Sequence, residues 1–116
     1  MGLDYNLELA VGMVPEQVLH LLARHLGFPL EAESQLNGPG LWIRVGETRK
    51  ARRALIEEAF QFSPNVSVQF RLSPADVDYD EGCRGMLRAV LYLSVFLEQL
   101  PALLQALCWE RRAHDF

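Results

Sequence analysis

Strict alternation of apolar and polar residues constrains the fold of this chain more than any other feature. It occurs in residues 3–9, 41–45 and 66–72. A period of two predicts a β-strand with one face in the core and the other in water. Strands with one polar face are typical of antiparallel sheets, because parallel sheets are usually covered on both sides. In the first segment the residues assigned to water are Asp4, Asn6 and Glu8.

Two amphipathic helices are predicted between these strands. The first spans residues 15–26, where a proline opens the first turn, an apolar ridge recurs every fourth position, and Gly27 marks the end. The second spans about residues 49–60. Its apolar positions, expected to be buried, are Ala51, Leu55, Ile56 and Ala59.

A hairpin is predicted between the two helices. Residues 30–34 alternate weakly, and Asn37-Gly38-Pro39-Gly40 is a strong turn signal before Leu41. The resulting order is strand, helix, strand, strand, helix, strand. This order predicts an α+β fold with a mostly antiparallel four-stranded sheet of the ferredoxin-like, or split βαβ, type (βαββαβ). Both helices would cover the apolar face of that sheet.

A long helix is predicted after the last strand. Ser73 and Asp76 fit a capping box, and the helix is expected from about residue 80 to residue 100. Its apolar positions run nearly all the way round, so it must be buried on more than one side, against the sheet or a partner. We expect one domain, 1–116, with a core over 1–72 and a helical segment over 73–116. The longest largely apolar run, residues 89–97, has nine residues, against about 20 for a bilayer span, so no membrane segment is expected.

The sequence predicts no catalytic, cofactor or metal site. His20 and His25 are five residues apart, whereas two helical ligands of one metal need a spacing of three or four. Cys83 and Cys108 form neither a zinc pair nor a redox motif. The first residues lack the features of a signal peptide, which predicts a cytoplasmic protein. A formal charge of −4 argues weakly against binding nucleic acid.

An acidic cluster precedes the long helix and is the first candidate for partner binding. It holds four carboxylates in six residues and one aromatic side chain. Carboxylates at a helix N-terminus favourably complement the helix dipole, which is a sufficient structural explanation. The same set is also a reasonable binding edge, and both interpretations stay open. The candidate residues are Asp76, Asp78, Tyr79, Asp80 and Glu81.

A basic cluster at the start of the second helix is the alternative partner surface. Its four cations oppose the helix dipole, and the acidic residues near the end of the helix oppose it too. Either this is a suboptimal surface helix, or the cations serve a partner. The residues are Arg49, Lys50, Arg52 and Arg53.

Nucleic-acid binding is the alternative function, because a ferredoxin-like sheet with an open face is also the architecture of an RNA-recognition module. On that face only Trp42 offers a stacking platform. The outward residues of the first strand are acidic or neutral and would repel phosphates. A nucleic-acid-binding or regulatory domain using residues 49–53 is therefore less favoured than a protein-binding one.

Several stretches of the chain, none of them a catalytic motif, occur in a distinctive order and spacing. They are 1–10 (MGLDYNLELA), 15–19 (PEQVL), 38–45 (GPGLWIRV), 62–72 (FSPNVSVQFRL) and 86–90 (MLRAV). Over about residues 1–98 the chain thereby resembles the immunity proteins of the myxobacterial swarming-inhibition toxin systems. The resemblance implies a cytoplasmic, non-enzymatic protein, encoded beside a toxin that it binds and neutralises. Toxins of such systems are often nucleases, and carboxylates would suit a basic nuclease.

The end of the sequence departs from the family pattern. Members of the family continue past the long helix into further strands, whereas residues 99–116 read as a Leu/Ala-rich helix followed by a charged tail. The apolar surface of such a helix could drive homodimerisation. The sequence does not identify the toxin or the surface that binds it.

Overall fold

The computed structural model describes residues 2–32, 34–61, 63–98 and 106–114 of the chain. Within these ranges there are six strands and three helices. The strands are β1 (Gly2–Ala10), β2 (Leu30–Ala32), β3 (Gln35–Gly38), β4 (Leu41–Glu47), β5 (Val66–Leu72) and β6 (Ala106–His114). The helices are α1 (Pro15–Leu26), α2 (Lys50–Phe60) and α3 (Tyr79–Glu98).

All strands join one sheet with the order β2-β3-β4-β5-β1-β6, and every neighbouring pair is antiparallel. The α+β class, the antiparallel sheet, the element order and the long helix after β5 are confirmed. The pairing order differs from the ferredoxin-like one. A split βαβ unit joins parallel strands with another strand between them, whereas α2 connects β4 and β5, which are antiparallel neighbours.

Strand β6 corrects the expectation that residues 99–116 form a helix and a tail. Residues 106–114 pair along the whole of β1, from Gly2 opposite His114 to Ala10 opposite Ala106. The expected helical part over residues 99–105 lies outside the described residues. Since β5 occupies the other side of β1, β6 makes β1 an interior strand. The further strand implied by the family resemblance is therefore present.

The apolar face of the sheet carries the core. It contributes Leu7, Ile43, Val68 and Phe70, all with 0% exposure. Helices α1 and α3 cover this face, since both pack against β4 and against each other. The ridge of α1 is buried as predicted, and Gly27 ends that helix in the left-handed conformation with φ 73°.

Helix α2 does not share in this core, contrary to the prediction. It lies on the polar side of the sheet, where it forms one wall of a groove with residues of β4 and β5. Of the four side chains expected to be buried, only Ile56 is, while Leu55 is 67% exposed and Ala51 and Ala59 are also exposed. Periodicity identified the apolar residues of α2, but it could not show which face of the sheet the helix would meet.

Helix α3 is only partly covered. Ala89 and Leu93 are buried in the core, whereas Leu87, Leu91 and Val95 are more than half exposed on the side away from the sheet. These three residues recur every four positions and therefore form one apolar stripe along the helix. None of the helices in the described ranges has the length and hydropathy needed to span a bilayer.

Candidate partner-binding surfaces

Glu8, assigned to water from the sequence, is buried with 0% exposure on the polar face of the sheet. Its carboxylate accepts hydrogen bonds from Arg52 Nε at 2.7 Å, Ser67 Oγ at 2.9 Å and Thr48 Oγ1 at 3.1 Å. These donors come from α2, β5 and the turn between β4 and α2. A buried carboxylate is tolerated only when it is paired and hydrogen-bonded, and this one satisfies both conditions.

Asp4, also assigned to water, is likewise buried with 0% exposure. Arg71 donates to both carboxylate oxygens, from Nε at 2.8 Å and from Nη2 at 3.1 Å, and Gln69 donates to one of them at 3.1 Å. The hydrogen bond to Asp4 raises the pKa of Arg71 above its ordinary value, outweighing the opposite effect of burial. On the polar face the two carboxylates of β1 are thus buried and paired with arginines, so they do not make it an acidic surface.

Trp42 extends this network toward the edge of the sheet. The guanidinium carbon of Arg71 lies 5.2 Å from the centroid of its ring, and that of Arg44 lies 4.7 Å away. Both distances are within the range of cation–π attraction. Arg44 is exposed, so the outer part of this face presents cations beside an aromatic ring. Sequence reasoning missed Arg44, although its place two residues after Trp42 puts it on the same face of β4.

An open groove of about 620 Å³ lies between α2 and this face. Three arginines line it: Arg44 from β4, Arg49 from the start of α2, and Arg52, which is engaged with Glu8. Glu47 and the exposed side chain of Leu55 also contribute. With Arg52 paired to Glu8, the two remaining arginines outnumber Glu47, and the groove combines a modest positive charge with a small apolar wall.

The predicted basic cluster divides into two parts. Arg52 and Arg53 have structural roles, since Arg52 binds Glu8 and Arg53 Nε donates to the carbonyl oxygen of Pro64 at 3.0 Å. Arg49 and Lys50 are exposed. The structure thus explains two of the cations that oppose the dipole of α2. Of the other two, Arg49 lines the groove, and Lys50 is exposed next to it in the chain.

The predicted acidic cluster forms an exposed loop and the first turn of α3. We call residues 73–81 the acidic loop. Asp76 Oδ1 accepts a hydrogen bond from the N–H of Asp78 at 2.8 Å, and Glu81 forms a surface ion pair with Arg84 at 3.0 Å. Ser73 and Asp76 form a turn before α3 rather than the predicted capping box, because α3 starts at Tyr79.

An apolar side chain stands at the tip of the acidic loop. Val77 is 98% exposed, and Asp76, Asp78, Asp80 and Glu81 around it are exposed too, while Tyr79 is half-buried. Water is a poor environment for an isolated valine, and burying it against a partner would be favourable. This loop therefore offers both charge and an apolar contact.

Two glycines allow the acidic loop to lie close to the turn between β3 and β4. A side chain at Gly40 would collide with the carbonyl oxygen of Asp78, and one at Gly82 would collide with the carbonyl oxygen of Gly40. Gly40 also has φ 67°, a left-handed conformation that suits glycine. The close backbone approach fixes where the loop lies relative to the sheet.

His20 and His25, the histidines whose side chains the structure describes, have different surroundings. His25 stacks on Tyr92 with ring centroids 4.1 Å apart, and His20 is exposed on α1. Across the described ranges, His, Cys, Asp and Glu side chains do not gather in groups of three or more that could hold a metal.

One comparison with known proteins bears on function. A family model described as SitI3-like matches residues 3–101. This range contains the acidic loop and the residues of the groove. Neither a curated protein nor a solved structure matches the chain.

Proposed function

The chain belongs to the SitI3-like family, and we propose on that premise that it is an immunity protein, which binds a cognate bacterial toxin and neutralises it by protein–protein contact. The family match over residues 3–101 is the observation that carries the proposal. The protein would act without catalysis or a cofactor, as one domain in the cytoplasm of the cell that makes the toxin.

The acidic loop is the surface we propose for the toxin. Its carboxylates are exposed and flank Val77, which is 98% exposed. Several carboxylates on one exposed surface attract a basic partner over a distance, which speeds association. An apolar residue within them adds burial once contact is made. A nuclease toxin, whose surface must be basic to hold a phosphate backbone, fits this chemistry.

Co-expression tests the proposal. Cells that express the toxin encoded beside this chain should survive when the chain is produced with it and die without it. The two purified proteins should also form a complex in isothermal titration calorimetry. Equal killing with and without the chain, together with no measurable binding, would refute the proposal.

We also propose that the apolar stripe of α3, formed by Leu87, Leu91 and Val95, mediates homodimerisation. Each of these side chains is more than half exposed, and contiguous apolar surface favours association. Light scattering should then give a dimer that Leu91→Glu converts to a monomer. A strict monomer at high concentration of the unaltered protein would overturn this.

The second candidate function is nucleic-acid binding, and the structure changes the argument about it. The carboxylates of Asp4 and Glu8 are paired and buried, so they do not repel phosphates as the sequence suggested. Arg44 is exposed beside Trp42, and Arg49 is exposed in the same groove as Arg44. Retention on a nucleic-acid column with a steep salt dependence would support this candidate, and free passage would reject it.

A further inference from the structure

We propose that the groove between α2 and the polar face of the sheet binds an acidic segment of the toxin, as a second contact separate from the acidic loop. The inference rests on the proposed function, because it names the chemistry of part of the same partner. Its basis is the charge, the burial and the size of the groove.

The cations of the groove are available to a ligand. Arg44 and Arg49 are exposed, and within the described residues neither has a carboxylate partner. Lys50 follows Arg49 in the chain and is also exposed. A guanidinium group presents several N–H donors in a planar fork that matches a carboxylate, so two such groups at one groove favour an acidic ligand.

Contacts within the fold fix the positions of two arginines at the groove. Arg52, which also lines the groove, is fixed by Glu8 at 2.7 Å, and that contact ties α2 to the sheet. Arg44 packs on the ring of Trp42. A surface whose donors are already positioned loses less conformational entropy when it binds. Arginine and tryptophan are also the residues most often found at the energetic centres of protein interfaces.

The lining also contains one exposed carboxylate, Glu47, which the two exposed arginines outnumber, and the rest of it fits a peptide segment. Leu55 is 67% exposed on the α2 wall, where it would contact an apolar side chain of the ligand. The groove volume of about 620 Å³ suits a few side chains. The favoured ligand is therefore a short stretch of the toxin that carries two or more carboxylates and an apolar residue.

A nucleic-acid ligand fits the groove less well. Trp42 is the aromatic side chain near the groove on which a base could stack. Its ring already contacts the guanidinium groups of Arg44 and Arg71, which a base would have to displace. The acidic loop follows directly from β5, next to the strand that carries Trp42. A phosphate backbone that extended beyond the groove in that direction would meet exposed carboxylates, and like charges repel.

Charge reversal tests the inference. The variant Arg44→Glu/Arg49→Glu should bind the toxin at least about tenfold more weakly in calorimetry than the unaltered chain, and the difference should shrink at high salt because these groups are exposed. The matched control is Arg24→Glu/Arg88→Glu, which reverses two exposed arginines on α1 and α3, on the other side of the sheet. We expect its affinity to stay within about twofold. Urea unfolding of both variants establishes that they are folded.

The possible outcomes separate the two proposals. No binding of the toxin by the unaltered chain would overturn the proposed function and this inference with it. Binding that survives the double reversal at the groove, or that falls equally in the control, would overturn this inference alone. A labelled single-stranded DNA of about 20 nucleotides that binds the unaltered chain and not the groove variant would assign the groove to nucleic acid instead. A dimer in light scattering that this variant dissociates would assign it to a second copy of the chain.

Discussion

Arg52 Nε lies 2.7 Å from Glu8 Oε1, and this contact joins α2 to the interior strand β1 of the sheet. Glu8 is fully buried, whereas the Arg52 side chain is 18% exposed. One carboxylate on β1 thereby helps determine the position of a helix whose residues begin more than forty positions later. This ion pair links the helix that forms one wall of the groove to the sheet that forms the other.

Glu8→Ala should destabilise the fold by about 3 kcal/mol, because it leaves Arg52 without its partner and removes an acceptor from Ser67 and Thr48. Urea unfolding measures the change. Glu57→Ala, at an exposed position on α2, should change stability by less than about 0.5 kcal/mol. Equal effects of the two substitutions would show that the Glu8 network does not stabilise the fold.

Asp4→Asn should weaken the attachment of Arg71 and expose the ring of Trp42. We expect a loss of about 2 kcal/mol, since hydrogen bonds to charged groups are lost. We also expect a shift of Trp42 fluorescence to longer wavelength, measured with Trp109→Phe in both proteins. The pKa of Arg71 is raised in the fold. The stabilisation from its positive charge is therefore fully present at pH values below the ordinary pKa of arginine, and it is lost only as the pH rises through the raised pKa. This contribution should not vary near neutral pH. Unchanged emission would contradict the proposed contact.

Gly40→Ala and Gly27→Ala form a matched pair. Both glycines have positive φ, 67° and 73°, so alanine strains the backbone at each by about 1 kcal/mol. A side chain at Gly27 meets nothing within 4 Å, whereas one at Gly40 collides with Asp78. Gly40→Ala should therefore cost at least about 1 kcal/mol more in unfolding experiments. It should also weaken toxin binding, since it displaces the acidic loop. Equal costs would mean that the loop yields without strain.

Asp80→Lys should slow association with the toxin by at least about threefold at low salt, with little effect on the dissociation rate, because exposed charges act mainly on encounter. Stopped-flow fluorescence measures both rates. Glu58→Lys makes the same charge change at an exposed position on α2. If this control slows association equally, the effect is one of net charge and the acidic loop has no special part.

Much of the fold could be predicted because its signals are local. Alternation in residues 3–9, 41–45 and 66–72 gave three strands, and the ridge of α1 gave a buried helix. The strand order could not be read in this way, because alternation shows which face of a strand is apolar but not which strand lies beside it. Strand β6 was missed because the Leu/Ala-rich composition of this part of the chain favours a helix when it is considered alone. Pairing with β1 outweighs that preference.

The site was only partly predictable, for a related reason. Asp4 and Glu8 look solvent-exposed by alternation, and their burial depends on partners 40 to 67 positions away. Such pairings leave no periodic pattern. The acidic loop was visible because its charges are contiguous in the sequence. The groove was not, because its lining combines residues of β4, β5 and α2 that lie together only in the folded chain.

The pairing of β1 with β5 and β6 has a consequence for how quickly the protein folds. Gly2 lies opposite His114, and Leu3 lies opposite Leu72 on the other side, so neither neighbour of β1 is close to it along the chain. Sheets with such long-range pairings fold slowly, because the entropy of closing the intervening chain is lost before the contacts form. The hairpin of β3 and β4 joins segments that are adjacent in the chain, so it should form earlier. Docking of β1 between its two distant neighbours should then be the slow step, and until it occurs Asp4 and Glu8 remain hydrated.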